Sequence, residues 1–365
     1  MRPGMRQDIL AALRRQSPAR LPWTIHHELL PRGTLERRLR GQGLAIVDKS
    51  VHPYRQGSGR VSVEEHRGWE GDHRLILRTW HTPLGDLASR LREGPDGSLW
   101  TERYPLAGAA DFRLLEYIAE DTEYRPNDEA VAAAQLALGD DGLVLCRLMR
   151  SPLQRLLTEW LGLEGFSYAL ADAPRELDRL LGCLAACDQP ALRIAAASPA
   201  EAVWSAENLT GDVVGPELFG RYLAPYYAEA AGRFRAAGKL YGAHFDGRLA
   251  CLKQAIGAAA LDFVEGFTPP PLGDLDIEKA RAAWPDKAIW LNIPGNLFLA
   301  DGREVVRRVR ELLRRGKAAG ACLLTLTEEF PEPARNLPLV AEAVEAEAAL
   351  GAEAAEGAES RAGGA

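Results

Sequence analysis

From about residue 111 onward, short apolar runs alternate with longer segments of helical spacing. Six of these runs are predicted to be strands, at residues 143–146, 202–206, 240–243, 261–264, 288–292 and 322–327. Strands that alternate with helices form a parallel sheet, because each crossover helix returns the chain to the same end of the sheet. One or two earlier strands, such as 22–25, would bring the number close to eight. The sequence therefore predicts an α/β fold, a closed (β/α)₈ TIM barrel.

Residues 61–106 have a different pattern, in which short alternating runs are separated by turn residues such as Pro83 and Gly85. This pattern is typical of hairpins. We therefore expect one barrel domain over residues 1–350, with an N-terminal elaboration of β-hairpins and helices at about 20–110. Residues 351–365 are rich in Ala, Glu and Gly and are predicted to form a disordered tail.

The composition excludes several classes of protein. The net charge is -7, and the chain from Glu342 onward carries six glutamates and one arginine, so the remaining body is almost neutral. No basic face suited to nucleic acid is evident, and no run of about 18 apolar residues could span a bilayer. Five cysteines are too few and odd in number for a disulfide framework. We expect a cytoplasmic protein that acts on a small-molecule substrate.

The carboxyl ends of the strands hold the active site in a barrel of this kind. His244 and Asp246 follow the strand at 240–243, and alternation places them on the same side if the strand continues. An imidazole beside a carboxylate can ligate a divalent metal or act as an acid–base pair. Alternatively, Asp246 caps the next helix and His244 packs in the core.

Acidic residues follow three other predicted strands. Glu207 and Asn208 are predicted to be catalytic, although Asn208 could instead cap its loop. Glu265 closes a strand and is a candidate for substrate binding. Two carboxylates, Glu328 and Glu329, follow the last strand, and one of them should face the barrel mouth. His26, after the first strand, is a further candidate for substrate binding.

Several of these segments together resemble the uroporphyrinogen decarboxylase superfamily. The resemblance covers about 22–348 and depends on the order and spacing of residues 151–152, 207–209, 215–219, 222–227, 257–265 and 292–296, with His244 at a strand end. It implies a barrel enzyme, and it adds Asn292, at the strand end that resembles the family's Gly-Asn motif, to the substrate-binding candidates.

The superfamily includes decarboxylases of tetrapyrroles and zinc-dependent methyltransferases that work with a corrinoid protein. The arginine-rich N-terminal loop with which the decarboxylases grip carboxylates is missing here, because Met5-Arg6-Gln7 continues into a helix. The methyltransferases bind zinc through His-x-Cys and a later Cys. This chain has His244-x-Asp246 and Glu328-Glu329 at those places, so carboxylate replaces thiolate.

The resemblance thus implies a methyltransferase-like enzyme in which His244, Asp246 and Glu329 hold zinc or another divalent metal. A corrinoid protein would be its partner. A carboxy-lyase acting on a tetrapyrrole or another carboxylate, without metal and with Glu207 and Asp246 at the reacting centre, is the alternative. A ligand-binding barrel without chemistry is a third possibility.

Overall fold

The computed structural model describes residues 4–16, 21–94, 97–320, 322–327 and 330–362 of the 365 residues. Eight parallel strands form one sheet in the order β1-β14-β13-β12-β11-β10-β9-β2, with the bounds β1 Trp23–Ile25, β2 Ile46–Asp48, β9 Gly142–Leu148, β10 Ala202–Ser205, β11 Leu240–His244, β12 Phe263–Phe267, β13 Ala288–Asn292 and β14 Cys322–Leu326. The amide of Ala45 donates to the carbonyl of Trp23 at 2.8 Å and joins β2 to β1. The sheet therefore closes on itself, which confirms the predicted barrel.

Helices surround this barrel and connect its strands. They are α1 Met5–Leu13, α2 Thr34–Gly41, α3 Phe112–Asp121, α4 Asp128–Leu138, α5 Pro152–Arg155, α6 Gly162–Asp172, α7 Pro174–Cys187, α8 Gln189–Ala197, α9 Pro216–Leu218, α10 Ala224–Ala236, α11 Lys253–Ala258, α12 Ile277–Ala283, α13 Gly302–Ala319 and α14 Pro333–Ala362. Two π-helical turns, Leu156–Trp160 and Phe219–Leu223, connect α5 to α6 and α9 to α10. The helical segment that runs from Pro216 to Ala236 is therefore interrupted by a π turn.

The inside of the barrel has its own apolar core, which is separate from the larger core between strands and helices. Ile9, Leu10 and Leu13 of α1 pack against inward side chains that include Phe263 and Trp290. The three α1 side chains are at most 1% exposed. Helix α1 therefore closes the amino end of the barrel, and the carboxyl end is left for a site.

The N-terminal elaboration lies between β2 and β9. It consists of a two-stranded pair, β3 Tyr54–Ser58 with β8 Thr122–Pro126, and a four-stranded antiparallel sheet, β4 Ser62–Glu70, β5 His73–Thr82, β6 Gly85–Glu93 and β7 Leu99–Arg103. Trp80 packs on Trp160 with ring centroids 5.0 Å apart, which anchors the sheet to the barrel's helices. The predicted hairpins are thus present, whereas the three-residue strand β2 is not among the predicted strands.

The last helix continues to Ala362, through most of the segment for which the composition predicts disorder. Its backbone is helical there, and whether 351–362 adds to stability stays a prediction. Among the described residues, one helical stretch, Pro174–Ala197, is long and apolar enough to cross a membrane by length and composition alone. It comprises α7 and α8, and Leu177 and Leu180 of this stretch are buried in the core.

Candidate active site

Polar side chains follow the inner apolar layer at the carboxyl end of the barrel. Trp204 and Trp290 belong to the inner core, and strand alternation places Lys49 and His244 two residues beyond inward-facing Val47 and Gly242. Glu265 likewise follows inward-facing Phe263 by two residues. These polar groups are therefore the next layer inside the barrel, toward its open end.

Glu265 connects this layer. Its side chain is fully buried, and Lys49 donates from Nζ to its Oε1 at 2.6 Å, while the ring Nδ1 of His244 contacts its Oε2. Burial alone would raise the pKa of Glu265, but the positive charges of Lys49 and His244 hold it well below its usual range. Glu265 is thus a buried carboxylate that two cations keep ionised, and its substrate-binding role stays a prediction.

His244 has its two ring nitrogens on different partners. Nδ1 contacts Glu265, and Nε2 lies 3.4 Å from Oδ2 of Asp246, whose side chain is 40% exposed. Burial lowers the pKa of His244, but the two carboxylates raise it to about 9. The ring is therefore protonated near neutral pH, and its Nε2 side is the one directed toward the open end of the barrel.

A glycine next to Glu265 gives the ring its space. Gly266 has φ +79 and lies at a shift in the β12–β13 register. A Cβ at this position would lie 2.5 Å from Cε1 and 2.7 Å from Nδ1 of His244. Only a residue without a side chain allows the histidine to reach Glu265 here.

Lys49 is a site residue that is not among those predicted from the sequence. Its side chain is 2% exposed, and its Nζ lies 5.1 Å from the ring centroid of Trp204 and 5.4 Å from that of Trp290. Such contacts stabilise a desolvated ammonium group. The sequence does hold a signal for this residue. The apolar run Leu44–Val47 can be recognised as a short strand, and Lys49 then lies just past its end.

His26 is near this cluster. Its pKa is lowered to about 3, first because the side chain is largely buried and then because Lys49 and His244 place positive charge nearby, against the opposing effect of Glu265. His26 is therefore neutral in the folded protein. Its position beside Lys49 and His244 agrees with the predicted substrate role but does not test it.

Asn292 is buried and holds two loops together. Its Nδ2 donates to Oγ1 of Thr268 at 3.1 Å, and its Oδ1 accepts from the amide of Thr327 at 3.1 Å. Both partners follow barrel strands. Asn292 thus orders the strand ends beside the site, and its substrate-binding role stays a prediction.

Glu207 and Asn208 lie apart from the cluster. Glu207 is fully buried and accepts bonds from the amide and hydroxyl of Ser151, at 3.0 and 2.8 Å. Burial raises its pKa to about 7. Asn208 is exposed at φ +51, a backbone conformation that asparagine tolerates well. Their catalytic roles stay predictions, and the contacts of Glu207 are those of a residue that orders the loop after β9.

The predicted metal ligands are only partly described. His244 and Asp246 are adjacent, but Glu329 lies outside the described residues. Within the described ranges, no group of three His, Cys, Asp or Glu side chains is arranged to hold a metal. Two of the three predicted ligands are therefore together.

No family model and no curated protein matches this sequence. Among solved structures, the chain is similar to a methyltransferase from Methanosarcina mazei, with 13% sequence identity and a TM-score of 0.58, over 94% of this chain and 98% of that one. It also matches a protein assigned as a vitamin-B12-independent methionine synthase from Listeria monocytogenes, with 12% identity and a TM-score of 0.37, over 60% and 68% of the two chains. The first similarity shows a shared barrel fold over nearly the whole of both chains.

Proposed function

We propose that this chain is a methyltransferase-like enzyme of the uroporphyrinogen decarboxylase superfamily, whose small-molecule substrate reacts at His244 and Asp246. The observation that carries the proposal is the pairing of His244 Nε2 with Asp246 at the open end, while Glu265 holds the other ring nitrogen. The Nε2 atom of the fixed imidazole and a carboxylate oxygen of Asp246 therefore both face the barrel mouth. The full-length fold similarity to a methyltransferase supports methyl transfer as the reaction class.

The chain's own residues prepare this centre in three ways. Glu265 fixes the orientation of the His244 ring and stabilises its positive charge, and Lys49 offsets part of the carboxylate's own charge. Trp204 places its ring at 79° to the His244 ring, with centroids 5.9 Å apart, and closes the space below it. Asp246, which is partly exposed, can accept a proton from a substrate group that approaches from the mouth.

Zinc or another divalent metal is part of the proposal. A tetrahedral metal with bonds of about 2.1 Å holds its ligand atoms about 3.4 Å apart, and His244 Nε2 and Asp246 Oδ2 have this separation. The contact from Nδ1 to Glu265 is the usual outer contact of a metal-bound histidine. His244 and Asp246 would hold the metal, with Glu329 as the proposed third ligand. When bound, the metal would lower the pKa of a thiol or hydroxyl acceptor.

The reaction class is tested with free methylcobalamin as the methyl donor and a panel of small thiols as acceptors. The partner in the cell would be a corrinoid protein. Loss of the methylcobalamin absorption band, together with the methylated thiol in the mass spectrum, is the expected result. His244→Ala should abolish the reaction, whereas His81→Ala, a change to a partly exposed histidine of the hairpin sheet, should leave it intact. Equal rates for wild type and His244→Ala would contradict the proposal.

Decarboxylation is the second candidate, because two cations, Lys49 and protonated His244, lie inside the barrel. Cations of this kind stabilise the negative charge that develops as carbon dioxide leaves, and an imidazolium can supply the replacing proton. Since the arginine-rich N-terminal loop is missing, we expect no useful conversion of uroporphyrinogen to coproporphyrinogen. Efficient conversion in a direct chromatographic assay would place decarboxylation first.

A further inference from the structure

Strand β4 is an open edge of the four-stranded hairpin sheet. It pairs with β5 on one side, and no other described strand pairs with it on the other. All nine of its residues, Ser62–Glu70, are exposed. A long edge of this kind presents a row of unpaired backbone amides and carbonyls that another strand can bind.

Side chains of complementary type lie at equal distances on either side of His66, the central residue of β4. Alternation places Val63, Glu65, Arg67 and Trp69 on one face of the sheet. Glu65 and Arg67 are one residue from His66 on either side, and Val63 and Trp69 are three residues from it. Val63 is 52% exposed and Trp69 is 74% exposed, which is unusual for side chains of this size within a strand.

We propose that β4 is a self-association surface, and that a second copy of this chain pairs with it antiparallel about a two-fold axis at His66. In this register Val63 lies opposite Trp69 of the second copy and Glu65 lies opposite Arg67, and the symmetry repeats each pair. Directly opposed side chains are about 5 Å apart, close enough for an apolar–aromatic contact and an ion pair. The two sheets then form one continuous sheet of eight strands.

The charges of β4 select this register against its neighbours. On the other face, the same pairing sets His66 opposite itself, Glu64 opposite Gly68 and Ser62 opposite Glu70, so no two carboxylates and no two arginines meet. A two-fold axis at Arg67 would oppose Arg67 to itself and Glu64 to Glu70, and an axis at Glu65 would oppose Glu65 to itself. Charged residues often protect an edge strand from pairing, but here they leave one self-complementary alignment.

The expected dimer is reversible. One pair of strands with two tryptophan contacts buries less surface than the roughly 1,600 Å² of a standard interface. We therefore expect a dissociation constant in the micromolar range. The surface is independent of the barrel chemistry, so the association can be tested whatever reaction the enzyme catalyses.

The test uses two charge-reversal variants in sedimentation velocity runs from about 1 to 200 μM. Arg67→Glu sets a glutamate against Glu65 of the second copy at both symmetric contacts, and Glu65→Arg likewise sets an arginine against Arg67. Both changes also break the Glu65–Arg67 ion pair within the chain, and an equimolar mixture does not restore that pair. Each variant alone should associate at least tenfold more weakly than the wild type. An equimolar mixture should restore the dimer, because one chain then carries glutamate at both positions and the other carries arginine at both. Arg125→Glu, on the exposed strand β8, is the control and should associate like the wild type.

A pair of cysteine variants shows which residues of the two strands face each other. His66→Cys places the new thiols directly across the axis, at a Cα separation that a disulfide bridges, so oxidation should link the two chains through residue 66. Glu64→Cys, whose thiol faces Gly68, should not link efficiently. A wild type that stays monomeric at 200 μM, or a dimer that Arg67→Glu leaves unchanged, would overturn the proposal. Unaltered circular dichroism of each variant shows that the sheet is folded.

Discussion

His244 and Glu265 occupy matching register positions on the neighbouring strands β11 and β12, and their side chains meet inside the barrel. Strands in register direct such side chains to the same side of the sheet. The contact therefore follows from the register of β11 and β12, with Gly266 leaving space for the ring, and it raises the pKa of His244. Several measurable properties depend on it.

The metal-free protein should lose stability as the pH rises from neutral. The folded pKa of His244 is about 9 against an ordinary value of 6.5, so its stabilisation is complete below about pH 6.5 and is lost as the pH rises through 9. The difference corresponds to roughly 3 kcal/mol of unfolding free energy. Urea denaturation of EDTA-treated protein at pH 6.5 and 9.5 measures it. His244→Gln should flatten this dependence, and parallel curves for the two proteins would contradict the assignment.

Lys49→Met should lower stability and raise the pKa of His244 further. Removing one partner of a buried ion pair costs about 3–5 kcal/mol, and Glu265 would then direct its charge to His244 alone. Lys287→Met is the matched control, since Lys287 is also buried but donates to the backbone oxygens of Ala259 and Leu261, and its one ion pair is with the exposed carboxylate of Asp286 at 3.4 Å. It should destabilise the fold without moving the His244 titration, which NMR of the ring protons follows. Equal His244 titrations in both variants would show that Lys49 has no influence on the site.

Gly266→Ala should displace the His244 ring. The new methyl group would meet that ring at 2.5 Å, and φ +79 strains any L side chain. Gly238→Ala is the control, because Gly238 has φ +70 but no heavy atom within 4 Å of an added Cβ. The control should cost about 1 kcal/mol, from backbone strain alone. Gly266→Ala should lower the free energy of unfolding by more than this and should abolish methyl transfer. If the two variants lose equal stability in calorimetry and equal activity, the ring does not fit tightly against Gly266.

Much of the barrel could be predicted from the sequence, but only part of the site could. The late strands have long apolar runs between helices, whereas β2 has three residues and gives little signal, so Lys49 was missed. The strands of a barrel are apolar on both faces. The sequence therefore shows that Glu207 and Glu265 each follow a strand, but it does not show that Glu265 faces inward to His244 while Glu207 bonds Ser151. That distinction depends on which of the alternating residues of each strand point into the barrel.

Truncation after Gly351 should leave the melting temperature unchanged. The segment beyond this residue is rich in Ala, Glu and Gly, and a helix end of this composition buries little apolar surface. Truncation after Arg335 is the contrasting control, since it removes Leu337 and Val340, both 0% exposed. The shorter protein should be strongly destabilised. A drop of several degrees after truncation at Gly351 would show that the terminal helix docks on the barrel.

The most direct test of His244 and Asp246 as the functional centre is calorimetric titration of the metal-free protein with zinc at pH 7.5. In buffers of different ionisation enthalpy, this titration also measures the protons released. Because His244 is protonated at this pH and must lose its proton to bind a metal, we predict one zinc per chain and release of about one proton. His244→Ala and Asp246→Asn should both weaken binding at least tenfold, and His81→Ala should not. Absence of zinc binding, or binding that both site variants retain with the same proton release, would contradict the account.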